Sequence, residues 1–193
     1  MEVDEPRLTG DEIAALARRV DRPIVMVGMM GVGKTSVGRK LAATLGLPFI
    51  DADDAIEEAA KMTIAEIFAT YGEDYFRDGE RRVIARLMQQ PRGNRPSVIA
   101  TGGGAFVNDE TRALILATGI AVWLDSDVDT LMSRVGRNDK RPLLKNGNPR
   151  DILMRLRNER EPCYRQAPIH VKSGDGPHSR TLEKVLRGIN EWL

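Results

Sequence analysis

Only one residue of the 193 is a cysteine, Cys163, two are histidines, and aromatic side chains make up 5%. A lone cysteine forms no intramolecular disulfide, so the chain reads as a protein of a reducing compartment, with the cytoplasm as its expected location. His170 and His178 show no metal-ligand spacing. No histidine lies near Cys163 in sequence, and its thiol reads as a small packing group and not as a nucleophile. Long apolar runs are also missing. The longest, residues 24–33, contains three glycines and is about half of the roughly 20 residues a membrane helix needs. The opening MEVDEPRLTGDE carries five acids against one arginine, which fits neither a secretory signal nor an Arg-rich transit peptide. Finally, there is no excess charge of one sign. Lys+Arg 29 against Asp+Glu 28 leaves +1, which removes the whole-chain electrostatic case for a nucleic-acid partner.

That neutrality is a cancellation. Residues 51–80 hold ten acids and two bases, whereas residues 134–165 hold ten bases and four acids. With 41% hydrophobic and 30% charged residues, the composition is that of a globular protein, and the length suits one ample core.

Thr9-Gly10-Asp11-Glu12 has the form of a capping box, with Ile13, Leu16, Ala17 and Val20 following at helical spacing. Residues 1–21 therefore read as a helical extension, for packing or solubility, ahead of a domain over 22–193. Within that domain apolar runs at 24–27, 47–50, 97–101, 120–125 and 169–171 read as strands. Helical patterns at 35–45, 54–60, 64–71, 74–90, 109–118, 127–135, 149–161 and 181–192 lie between and after them. Strands alternating with helices predict an α/β fold of three layers: a five-stranded parallel sheet covered by helices on both faces. Met26, Met29, Met30, Trp123 and Trp192 read as packing or edge residues.

Gly28-Met29-Met30-Gly31-Val32-Gly33-Lys34-Thr35 fits G-x-x-x-x-G-K-[ST] and stands between a predicted strand and a predicted helix, where this P-loop motif must stand. Its glycines allow backbone N–H groups to wrap a phosphate, Lys34 can reach the β- and γ-phosphates, and the Thr35 hydroxyl can ligate Mg²⁺. No D-x-x-G or N-K-x-D sequence accompanies the loop, so guanine recognition of the Ras type is not expected.

Asp51 and Asp53 leave the second predicted strand two residues apart, so both carboxylates can face one side at the ligand-binding edge of the sheet. One could hold a water of a Mg²⁺ shell while the other accepts a hydroxyl proton. Local sequence offers Asp53 or Asp54 as cap of the following helix, and Asp54 is the better candidate.

Taken together, Gly28 to Thr35, Asp51-Ala52-Asp53, Phe76-Arg77 with Glu80, Gly102-Gly103-Gly104, Arg141-Pro142-Leu143-Leu144 and Arg160-Glu161-Pro162-Cys163-Tyr164 resemble shikimate kinase. The resemblance runs in order from about Arg22 to Trp192. It implies a P-loop fold akin to nucleoside monophosphate kinases with a mobile lid, and transfer of the ATP γ-phosphate to the 3-hydroxyl of shikimate. It further implies a place in chorismate and aromatic amino-acid biosynthesis, with Mg²⁺ as cofactor and only shikimate and ATP as partners of a monomer. Carried over by position, Asp53 binds the shikimate hydroxyls and accepts the proton, and Asp51 supports the Mg²⁺ shell. Arg77 and Arg160 hold the substrate carboxylate, with Gly102, Gly103 and Gly104 beside it and Phe68 and Phe76 as apolar lining. Gly31, Val32, Gly33, Lys34, Thr35 and Ser36 take the ATP phosphates, Arg141 reaches across from the lid, and Arg134 lies against adenine. The substrate segment spans about 51–80 and the lid about 136–150. Adenine contacts near 171–177 are not assigned, and the acidic N-terminal helix has no counterpart in the minimal family domain.

Elementary chemistry fits these roles while leaving alternatives. Arginine's planar fork suits a carboxylate, and a charge-assisted hydrogen bond contributes roughly 1.5–3 kcal/mol. Arg77 could instead pair with Glu73 or Glu80, and Arg160 could be a solvated charge. The triple glycine permits close approach of backbone to a ligand or is a loose turn. Residues 136–150, rich in glycine, proline, asparagine and basic residues, suit a closing lid or a loop without function. Two rival functions are a gluconate or nucleoside monophosphate kinase and a nucleotide-binding switch. A switch has no need of Asp51, Asp53 and an arginine-rich lid.

Overall fold

Short apolar runs bounded by turn residues become the strands of a central sheet in the computed structural model, which describes residues 7–89, 95–135, 147–174 and 176–193. The strands are β1 (Ile24–Val27), β2 (Phe49–Asp51), β3 (Val98–Ala100), β4 (Ile120–Asp125) and β5 (Ile169–Lys172). All pair in parallel, in the order β2-β3-β1-β4-β5. Every residue of β1 and β3 is buried, as continuous apolar strands between two helical layers must be. β5, at an edge, alternates buried and exposed residues.

The helices are α1 (Gly10–Arg19), α2 (Lys34–Leu45), α3 (Ala52–Ala60), α4 (Ile64–Gln89), α5 (Asp109–Thr118), α6 (Val128–Val135), α7 (Pro149–Tyr164) and α8 (His178–Trp192), with a 3-10 turn at Ala105–Val107. The predicted capping box is formed: Thr9 accepts from the Glu12 N–H, and Glu12 accepts from the Thr9 N–H. Leu16 and Val20 then carry this helix into the main core. Gly46 stops α2 in the left-handed conformation. Within α4 the chain breaks helical geometry at Gly72 (φ 82°, ψ 178°), so the two helices expected over 64–71 and 74–90 are two arms of one kinked rod. Among the described residues no helix is long and apolar enough to cross a membrane.

Several boundaries differ from the sequence reading. β2 starts at Phe49 and not at residue 47, because the Leu47 N–H closes the end of α2 on the Ala42 carbonyl (2.8 Å). α3 starts at Ala52, and its cap is neither Asp54 nor Asp53 but Asp51, whose Oδ1 accepts from the Asp53 N–H at 3.0 Å. The strand turns into a helix at once, so strand alternation does not relate the two aspartates. α7 runs on through Pro162 to Tyr164, whose buried ring anchors the last turn.

β1 and β3 are neighbours whose connections leave in opposite directions across the sheet, from β1 past β3 to β2 and from β3 past β1 to β4. That is the switch point at which parallel sheets open a crevice beyond their carboxyl ends. The segments following β1, β2 and β3 all emerge there, and they contain the loop 28–33, the acids 51–53 and the glycines 102–104.

Candidate active site

The phosphate loop turns through positive φ at Gly28, Gly31 and Gly33 and delivers Lys34 and Thr35 to the first turn of α2. Val32 is wholly buried, which fixes the loop to the core. Thr35 and Ser36 are exposed at the open N-terminal end of the helix, where backbone N–H groups and the helix dipole favour an anion. The Lys34 ammonium lies along the loop and donates to the Gly28 and Met29 carbonyls, both at 2.8 Å.

Thr35 Oγ1 donates to Asp51 Oδ2 at 2.8 Å. Asp51 thus works at both ends, bonding the P-loop threonine with one oxygen and capping α3 with the other. A threonine hydroxyl and a carboxylate at the N-terminus of a phosphate-binding helix form the oxygen donor set that Mg²⁺ takes when substrate phosphates and water complete its shell. Asp53 follows in the first turn of α3. Burial, then the charges of Asp51 and Glu80, push its carboxyl up to about 6, against the opposing pull of Lys34.

The glycine triplet is the floor on which the remaining charges converge. A side chain at Gly102 would place its Cβ 2.7 Å from Glu80 Oε1 and 3.2 Å from Asp53 Oδ1, and one at Gly104 would fall 2.5 Å from Arg77 Nη1. A Cβ at Gly103 would stand 3.2 Å from Arg160 Nη1. Absence of side chains at all three positions is what brings two acids and two arginines to one place. The segment is a strand-to-helix turn, but not a loose one: it runs directly into the 3-10 turn through bonds from Ala105 to Gly102 and from Val107 to Gly104.

Arg77 forms both of the ion pairs open to it. Its Nη1 donates to Glu80 Oε2 at 2.8 Å and its Nη2 to Glu73 Oε1 at 3.3 Å, while the guanidinium rests on the Phe76 ring (5.1 Å) and against Gly104. Arg160 is 7% exposed, and its Nη1 is buried without a hydrogen-bond partner. It is therefore not the solvated charge that local sequence permits. Phe68 and Phe76 pack with tilted rings, centroids 4.7 Å apart, within a small apolar cluster shared by α3 and α4.

Arg134 connects the phosphate loop to the segment after β5. It donates to the Val32 carbonyl at 3.1 Å and the Gly174 carbonyl at 2.6 Å. Arg141 and residues 136–146 of the lid segment lie outside the described residues.

Two residues join the site that were not assigned to it from sequence. Glu80, 2% exposed, has Oε1 buried without a partner; burial pushes its carboxyl upward, and Arg77 offsets this only in part. Tyr164 donates its hydroxyl to the Gly103 carbonyl, and burial pushes that hydroxyl up to about 12. Both stand within the quoted motifs. The signal available for Glu80 was its spacing of three from Arg77 on a helix.

A family model described as shikimate kinase matches residues 30–190. A shikimate kinase of Novosphingobium aromaticivorans is 65% identical over 193 residues, covering 100% of both chains. One of Caulobacter vibrioides is 51% identical over 184 residues, 95% of this chain and 88% of that protein. Among solved structures, a shikimate kinase from Acinetobacter baumannii in complex with shikimate has a TM-score of 0.85 at 35% identity, covering 91% of this chain and 97% of that one.

Proposed function

The chain belongs to the shikimate kinase family, and from that membership we propose how its own residues divide the work of the reaction. The activity is ATP-dependent transfer of the γ-phosphate to the 3-hydroxyl of shikimate, giving shikimate 3-phosphate and ADP, a step of chorismate and aromatic amino-acid biosynthesis. The observation that carries the assignment of residues is Arg160 Nη1, a buried cationic donor without a partner beside Gly103. A buried donor left without a partner is costly, and a carboxylate of the substrate satisfies it.

Arg160 and Arg77 grip that carboxylate, with Gly102, Gly103 and Gly104 giving it room. Glu80 holds Arg77 in place, and the Gly103 carbonyl is held by Tyr164. Phe68 and Phe76 supply the apolar lining. Asp53 binds the shikimate hydroxyls and takes the proton of the attacking 3-hydroxyl. Its raised carboxyl titrates close to neutrality, where a base works best. Gly31, Val32, Gly33, Lys34, Thr35 and Ser36 receive the ATP phosphates, and Arg141 reaches them from the lid. Arg134, through its bonds to Val32 and Gly174, fixes the wall that faces adenine.

Thr35 and Asp51 would hold Mg²⁺, Asp51 by way of the ion's water shell. The ion supplies charge neutralisation of the phosphates when bound. Phosphoryl transfer asks little covalent chemistry of the protein, so positioning by Asp53 and the arginines and neutralisation by Lys34 are the chain's contribution. Residues 51–80 are then the substrate segment, 136–150 the lid and 1–21 an extension of the 22–193 domain. The enzyme acts as a monomer in the cytoplasm, a compartment that its single cysteine suits.

Shikimate against its uncharged carboxamide tests the assignment. Loss of one charge-assisted contact, roughly 1.5–3 kcal/mol, lowers kcat/KM for the amide by about 10- to 100-fold. Equal turnover of acid and amide contradicts it.

A further inference from the structure

A second cavity, separate from the phosphate loop and the glycine triplet, opens between α3 and α4. It has a volume of about 370 Å³, within the range of small-molecule sites. Its floor is apolar, formed by Ile56, Ile67, Phe76 and Val83. Tyr75, 51% exposed, makes one wall. Two cations, Arg82 and Arg86, stand along the same stretch of α4 as the opening. Arg82 pairs with Asp78 at 3.0 Å, whereas Arg86 has no ion-pair partner among the described residues. Gly79 completes the lining. A Cβ there would meet nothing within 4 Å, so the missing side chain leaves the cavity open.

We propose that this cavity is a regulatory site for a small carboxylate with a ring-sized apolar body, its ring on the apolar floor and its carboxylate on Arg86 and Arg82. The charge complementarity selects an anion, and the floor selects an apolar body. Phe76 links the site to the catalytic crevice, because it forms part of the floor while its ring carries the Arg77 guanidinium at 5.1 Å. An occupant packed on Phe76 favours the arrangement in which Arg77 Nη2 stays engaged with the exposed Glu73 instead of the substrate carboxylate, while Glu80 keeps its hold on Nη1. It thereby raises KM for shikimate and leaves KM for ATP unchanged. By linkage, shikimate weakens the occupant's binding by the same factor. The effect on KM rests on Arg77 as a substrate ligand; binding itself does not.

Calorimetric titration of the full chain with benzoate and with benzamide, without ATP or shikimate, tests the binding. Benzoate binds one to one and benzamide about tenfold more weakly or not at all. Arg86→Gln and Gly79→Leu each weaken benzoate by about tenfold or more, the first by removing the cation and the second by filling the cavity. Arg160→Ala binds benzoate as the parent does. Circular dichroism and a thermal melt confirm that each variant is folded, and shikimate kinase kinetics at saturating benzoate show KM for shikimate raised about threefold or more. The proposal is overturned by no benzoate binding, by equal binding of benzamide, or by an unchanged KM. It is also overturned by benzoate binding that survives both cavity variants and is lost in Arg160→Ala, which places the carboxylate in the substrate crevice.

Discussion

Glu80 Oε2 accepts from Arg77 Nη1 at 2.8 Å, while Glu80 Oε1, beneath Gly102, is buried without a partner. A carboxylate this buried is costly, and the arginine it aims is the one assigned to the substrate's own carboxylate. Glu80 is therefore a positioning residue, acting through Arg77.

Glu80→Gln keeps the shape and removes the charge. The expected result is KM for shikimate raised by about 10-fold or more with kcat changed much less, since a charge-assisted contact contributes roughly 1.5–3 kcal/mol. Steady-state kinetics with each substrate varied in turn provides the comparison. A fall in kcat with both KM values unchanged contradicts the role.

Asp53 couples function to stability. Its carboxyl, at 3.8 when unfolded, is raised to about 6 in the fold. Between those values the folded state binds more protons than the unfolded state, so stability falls as pH rises from about 4 to about 6, and the full loss is present above that window. Two units correspond to about 3 kcal/mol. Asp53→Asn is accordingly more stable than the parent at pH 7.5, with the difference vanishing near pH 4, while kcat drops by about 10²- to 10⁴-fold. In the parent, kcat/KM falls on an acid limb centred near 6. Urea unfolding at several pH values checks the first statement. A variant less stable than the parent at neutral pH refutes it.

Two glycines of α4 respond in opposite directions. Gly72 lies at φ 82°, where alanine is strained, so Gly72→Ala destabilises by about 1 kcal/mol or more. Gly79 lies in regular helix with open space where a Cβ would stand, and Gly79→Ala stabilises by about 0.5–1 kcal/mol. Melting temperatures therefore move about 2–4 °C apart for each kcal/mol of difference. Shifts of the same sign for both are inconsistent with the kink at Gly72.

The strands and the phosphate loop were legible because their signal is local: β1, α2 and Gly28 to Thr35 can be read within a dozen residues. Asp51 was misread as to its local role. Two-residue spacing suggested strand alternation, but the chain enters α3 directly and Asp51 becomes its cap. For Arg77 the sequence presented ion pairing and substrate binding as alternatives, whereas the fold forms the ion pairs and sets the guanidinium against Gly104 as well. Glu80 and Tyr164 escaped assignment because their importance is tertiary. A glutamate on a helix reads as a surface charge until β3 brings Gly102 onto it, and a tyrosine at the end of a helix shows no target until Gly103 is placed opposite.

The central claim is that Arg160 and its neighbours select shikimate as phosphoryl acceptor. It is tested most directly by coupled ADP release with shikimate, gluconate and nucleoside monophosphates, in the parent and in Arg160→Ala. The account predicts turnover of shikimate alone by the parent, with Arg160→Ala raising KM for shikimate far more than KM for ATP. Robust turnover of gluconate or a nucleoside monophosphate with none of shikimate, or an equal rise in both KM values in Arg160→Ala, would contradict it.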